Sequence, residues 1–126
     1  MKRHASLVAL SRDHHAALVM GKRIADCAAD VTQLRALCEV VSLRFRTELL
    51  PHFEDEEARI FPRLAVSHHA QHQQALQDHA NLRALAVRIA EGDCFALRQF
   101  GIALAAHVRF EERELFLLYE TLIQQD

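Results

Sequence analysis

Apolar residues return at every third or fourth position along almost the whole 126-residue chain. At 3.6 residues per turn this rhythm lays them along one side of a helix, and a strand with its period of two cannot use it. The first stretch carries Leu7, Leu10, His14, Ala17, Leu18, Gly21, Ile24, Ala25 and Ala28 on one face. The second carries Leu34, Leu37, Cys38, Val41, Phe45, Leu49, His52, Glu56 and Ile60, and runs in register past Pro51, so a kink is expected there. Phe61-Pro62 signals a stop soon after. A third helix is expected from about Ala70 to Glu91, with Leu82, Leu85, Ala86 and Ile89 inward and His79 toward the edge of that face. The last has Phe100, Ala103, Leu104, His107, Glu111, Leu115, Leu118 and Leu122 on one side. The rhythm breaks near Asp30 to Thr32, Leu64 to His69 and Gly92-Asp93. Thr32 and Asp93 are expected N-caps, and Gly92 a C-terminal stop.

Short connections between long amphipathic helices make neighbours antiparallel, so the expected fold is all-α: an up-down-up-down antiparallel four-helix bundle. Residues 1–126 make one domain, with no linker or low-complexity tract. Three Gly and two Pro fit long helices and argue against an all-β chain. A net charge of −2 and the absence of a Lys/Arg run argue against a nucleic-acid or membrane partner. No apolar run is long enough to span a bilayer, and the apolar stretch before Arg12 is too short for a signal peptide. Cys27, Cys38 and Cys94 are far apart in sequence without a C-x-x-C, and read as reduced core thiols of a cytoplasmic protein.

The chemistry lies in a repeat. His52-Phe53-Glu54-Asp55-Glu56-Glu57-Ala58-Arg59-Ile60-Phe61 and His107-Val108-Arg109-Phe110-Glu111-Glu112-Arg113-Glu114-Leu115-Phe116 both read His-x-x-x-Glu-Glu-x-x-aliphatic-Phe. Residues i and i+4 stand one turn apart on one face, so each imidazole and its carboxylate can converge on an ion. Both pairs fall in the centre of an apolar stripe. Glu57 and Glu112, turned about 100° further, are expected to face solvent. His14 and His79 add one inward-leaning imidazole from each of the other two helices.

One histidine on an apolar face is usually a hydrogen-bonded core residue. Four His and two Glu in one core are different, because an uncompensated buried carboxylate costs several kcal/mol. Metal ions compensate it, and a mixed nitrogen and oxygen set suits iron, manganese or zinc. His14 is favoured over His15, which points about 100° away. His72, one heptad before His79, faces inward enough to be a supporting group. Glu48 and Glu114 are candidates for orienting the imidazoles, with surface charge the equal alternative. Tyr119, Phe61 and Phe116 read as packing, His4 as part of a frayed terminus, and His68 and His69 as the start of the third helix.

Asp13-His14, His52-x-x-x-Glu56 with Phe61-Pro62, Asp78-His79-x-x-Leu82 and His107-x-x-x-Glu111-Glu112 together resemble the hemerythrin-like (HHE cation-binding) family over essentially the whole chain. The resemblance implies a four-helix bundle around a non-haem di-iron centre, two Fe2+/Fe3+ ions with a bridging oxygen species. It implies His14, His52, His79 and His107 as terminal ligands and Glu56 and Glu111 as bridges. The chain departs from the oxygen carriers at two points. Ala75 stands where they have a fifth histidine, and their last carboxylate comes five residues after the fourth histidine, so Glu112 competes with Glu111. The missing histidine implies one more open coordination position. The expected function is binding or sensing of a small ligand such as dioxygen, nitric oxide or iron, by a monomer or dimer with a protein partner left open. The alternatives are a di-iron oxidoreductase or peroxidase-like enzyme, and a zinc-bound or metal-free interaction bundle.

Overall fold

The computed structural model describes residues 2–27 and 30–124. Four helical rods account for most of them, and among the described residues there is no strand. A 3-10 turn, Ala5–Leu7, leads into α1, Val8–Ala25. The second rod, α2 (residues 31–64), is α-helical over Val31–Arg44, Leu50–Asp55 and Phe61–Leu64, with π turns at Phe45–Leu49 and Glu56–Ile60. The third, α3, is His69–Ala90. The fourth, α4 (residues 95–124), joins Phe95–Phe110 to Phe116–Gln124 through a π turn at Glu111–Leu115.

The caps follow local chemistry. Asp30, not Thr32, caps α2: the helix starts at Val31, and the Asp30 carboxylate accepts the Gln33 amide at 3.0 Å. Gly92 takes φ +93°, a left-handed value that stops α3 and favours glycine. Asp93 accepts the Phe95 and Ala96 amides at 3.1 and 3.4 Å, so it caps α4 from one residue outside the boundary. The expected frayed terminus is tied down instead. Arg3 reaches Glu120 at 2.8 Å, and the His4 amide donates to the same carboxylate at 2.7 Å.

The kink expected at Pro51 takes the form of the π turn before it. Pro51 and Pro62 each lie two residues beyond a π turn. A proline ring crowds the carbonyl four residues earlier, and a widened turn there relieves the clash. The π turn in α4 has Leu117 at the corresponding place, so proline is not its cause. It has a consequence for phase. Continued α-helical spacing puts Leu118 and Leu122 in the core, whereas the structure buries Phe116, Tyr119 and Glu120 and leaves those two leucines half-buried. In α1, Ala25 is exposed and Met20 is buried in addition to the expected stripe; Ala28 lies outside the described residues.

Contacts between neighbouring rods run in opposite residue order. Along α1 and α4 they go from Arg3–Glu120 through Ser11–Glu112 to Gly21 beside Gly101. Along α3 and α4 they go from Gln71–Glu114 through Asp78–His107 to Arg88–Gln99. The apolar core is split in two. One part, including Met20, Val41, Phe45, Phe53, Leu82 and Phe100, fills one end of the bundle. The other, including Leu10, Ile60, Phe61, Leu115, Phe116 and Tyr119, fills the opposite end. Each fully buried Phe contributes about 1.5–3 kcal/mol by leaving water. Between the two parts lies a polar layer. Among the described residues no helix is long and apolar enough to cross a membrane.

Candidate metal centre

One residue or pair from each rod builds this layer: His14 from α1, His52 and Glu56 from α2, His79 from α3, and His107 and Glu111 from α4. Glu56, His79 and Glu111 are 0 % exposed, and the other three are also buried. His52 Nε2 lies 3.2 Å from Glu56 Oε1, and His107 Nε2 lies 3.3 Å from Glu111 Oε1, so both i,i+4 pairs converge. His14 Nε2 is 2.8 Å from Glu111 Oε1, and His79 Nε2 is 3.2 Å from Glu56 Oε1. The exposed His15 takes no part.

These six residues form two sets. His14, His52, Glu56 and Glu111 bring ligand atoms within 4.8 Å of one another, and so do Glu56, His79, His107 and Glu111. Both carboxylates belong to both sets. The donor set fits cations on a second ground. Both oxygens of Glu56, both oxygens of Glu111, and the Nε2 atoms of His79 and His107 are buried without a hydrogen-bond partner. Six such atoms crowded together would be strongly destabilising, and cations satisfy them all.

The outer nitrogens are equally ordered. His14 Nδ1–H donates to Glu112 at 2.7 Å, and His52 Nδ1–H to Asp13 at 3.0 Å. His79 Nδ1–H donates to Glu57 at 2.7 Å, and His107 Nδ1–H to Asp78 at 2.8 Å. A carboxylate only accepts, so each Nδ1 carries a proton and each Nε2 is turned into the layer, able to bind a cation once any proton on it is lost. The partners form a ring: α1 supports α2, α2 supports α3, α3 supports α4, and α4 supports α1. Glu57 and Glu112, expected to face solvent, are therefore half-buried parts of the centre. Their roughly 100° offset from Glu56 and Glu111 points them at the next helix. Glu57 also accepts from both terminal nitrogens of the Arg83 guanidinium, at 2.6 and 2.9 Å, and Glu112 accepts from the Ser11 hydroxyl at 2.9 Å.

Glu48 and Glu114 do not have the orienting role: Glu48 pairs with Arg44 at the surface, and Glu114 accepts from Gln71 at 3.4 Å. The sequence signal for the true partners is adjacency. Each of Asp13, Glu57, Asp78 and Glu112 sits next to one residue of the layer and supports an imidazole on another rod. His72 packs edge-on against Phe61 at 6.4 Å, while Phe61 tilts against His79 at 5.0 Å, so His72 supports no imidazole directly. Phe53 stacks on His79 at 4.0 Å and Phe116 on His14 at 5.2 Å, which fixes both rings.

Burial and charge divide the titrating groups. Burial and the nearby Glu111 push Glu56 well above the carboxylate range. Burial also pushes Glu111 up, but the close approach and charge of His107 and His14 prevail and hold it well below. His107 is raised to about 9, burial being outweighed by Glu111 and Asp78. His79 is lowered to about 4 by burial and by the charge of His107. Burial lowers His52 against its bond to Asp13, and His14 is raised because Glu111 and Glu112 outweigh burial. The Nε2 atoms of His14 and His52 approach to 3.1 Å, a contact that needs a proton or a cation.

A cleft of about 200 Å³ between α3 and α4 reaches His107 and Asp78, with Gln74, Asn81 and Phe110 on its walls. The larger surface cavities are lined by none of the six residues.

The chain matches the family model for the hemerythrin HHE cation binding domain over residues 6–119. No curated protein and no solved structure matches it.

Proposed function

Because the chain belongs to the hemerythrin HHE cation-binding family, we propose that its polar layer holds two iron ions and binds or senses a small ligand. His14 and His52 would hold one ion, His79 and His107 the other, and Glu56 and Glu111 would bridge them. The observation that carries this reading is the sharing of both carboxylates by two histidine pairs. Four protein donors per ion leave positions free for a ligand. The opposed order of contacts along the rods supports an up-down-up-down bundle, the topology that lets all four rods face one layer.

Iron bound here supplies reversible one-electron chemistry and a site for a small ligand. The chain does the rest. Asp13, Glu57, Asp78 and Glu112 hold the tautomers, Phe53 and Phe116 fix two rings, and the two apolar clusters exclude water. The cleft beside His107 is narrow, and the layer itself is closed. This favours a diatomic ligand such as dioxygen or nitric oxide over an organic substrate, and a binding role over an oxidoreductase.

The test is metal content with the visible spectrum after anaerobic reconstitution. The expected result is two irons per chain, falling to half or less in Glu56→Ala and Glu111→Ala. Less than one iron per chain in the wild type, or full iron in both variants, overturns the assignment. A stable adduct with dioxygen or nitric oxide supports binding; sustained multi-turnover peroxide reduction supports the enzyme.

A further inference from the structure

The three cysteines lie outside the polar layer, and two of them are not the isolated thiols that their 56-residue separation suggests. Cys38 in α2 and Cys94 at the start of α4 meet with their sulfurs 3.1 Å apart. A disulfide bond is about 2.05 Å, so a movement of about 1 Å separates the thiol pair from a bond. We propose that Cys38 and Cys94 form a redox-active dithiol, which a hydroperoxide converts to a disulfide tying α2 to the start of α4.

The two sulfurs are not equivalent. Cys38 is 5 % exposed and donates its S–H to Cys94. Burial and the adjacent Cys94 push the Cys38 thiol up to about 12, so it keeps its proton. Cys94 is half-buried at the N-cap of the helix Phe95–Phe110. Cys94 stands at the positive end of the helix dipole, accepts the Cys38 S–H and is the more accessible sulfur, so it is the one placed to attack. A cavity of about 520 Å³ is lined by both cysteines, with Arg35, Ser42 and Arg46 among the other lining residues. Glu39 lines it too, so its polar wall carries both signs of charge, and its size gives a small peroxide access to the pair. Cys38 lies fourteen residues before His52, roughly 20 Å along α2, so this chemistry is separate from the metal layer.

The Cys94 thiolate attacks one peroxide oxygen; an S–O bond forms, the O–O bond breaks, and the leaving hydroxide or alkoxide takes a proton. Cys38 then attacks the sulfenic sulfur; the S–S bond forms, the S–O bond breaks, and the thiol proton leaves with the hydroxyl as water. Two thiols give up two electrons, and one hydroperoxide is reduced.

The test treats the full chain with one equivalent of hydrogen peroxide, and in parallel with diamide, which oxidises thiols without a peroxide bond. With both oxidants the expected result is loss of two of three thiols and of two hydrogen atoms in intact mass. A Cys38–Cys94 linked peptide should be recovered, and the melting temperature should rise by roughly 10 °C, reversed by dithiothreitol. Cys38→Ala should halt at a sulfenic acid on Cys94 that dimedone traps, Cys94→Ser should lose no thiol pair, and Cys27→Ser should behave as wild type. Circular dichroism confirms that each variant is folded. Three intact thiols after both oxidants, or a link through Cys27, overturns the proposal. A link formed by diamide but not by peroxide overturns the peroxide step.

Discussion

On the proposed two-ion layer, removing one outer carboxylate should weaken one ion and spare the other. Asp78 accepts the His107 Nδ1–H at 2.8 Å with its side chain 22 % exposed. A hydrogen bond to a charged group is worth about 1.5–3 kcal/mol, and this partial exposure argues for the lower end. About 1.5 kcal/mol is roughly a tenfold loss of affinity, the lower bound of what supporting carboxylates contribute at metal sites. His107 belongs only to the set with Glu56, His79 and Glu111. Asp78→Ala should therefore turn metal binding biphasic, with one ion of wild-type affinity and one about tenfold weaker. Asp13 supports His52 in the other set but is 56 % exposed, so Asp13→Ala should weaken its ion by only about threefold. Glu48→Ala, which removes only the surface pair with Arg44, serves as the control. Competitive titration against a chromophoric chelator measures both steps. If Asp78→Ala loses both ions together, or binds like the wild type, the reasoning from separate sets is wrong.

Metal binding should release protons. His107, raised to about 9, is protonated at pH 7 in the metal-free chain, and Glu56 is also pushed toward its neutral form. Both must deprotonate to bind a cation; loss of the His107 proton alone makes apparent affinity fall about tenfold per unit as pH drops below 9, and the Glu56 proton steepens the fall. Calorimetry in buffers of different ionisation enthalpy measures the release, and zero release refutes it. The two glycines where α1 meets α4 should respond in opposite directions to alanine. At Gly101 a Cβ would lie 3.0 Å from Ile24 Cγ2, so overpacking of about 1–3 kcal/mol should exceed the helix-propensity gain of about 1. At Gly21 the nearest atom is 3.5 Å away, so the variant should be more stable by about 0.5–1 kcal/mol. Urea denaturation decides, and the reverse order refutes this account of the seam.

What sequence alone determined was local. The 3.6-residue rhythm established four helices, because apolar faces follow directly from helical geometry. The His-x-x-x-Glu spacing identified both pairs of the polar layer, because one turn of helix brings such side chains together wherever the helix lies. Sequence also marked the Gly92 stop, since a left-handed residue after a helix is a local requirement. Tertiary structure decided whatever depends on how the rods face one another. It paired Asp13 with His52 and Glu57 with His79, and brought Cys38 to Cys94, all through contacts between different rods. It placed Phe61 between His72 and the layer. It also set the burial beyond Glu111, where the π turn shifts the helical phase and sends Tyr119 inward in place of Leu118. A single-chain pattern assumes a uniform helix and gives no relative rotation between helices. Those two quantities determine which carboxylate each imidazole meets.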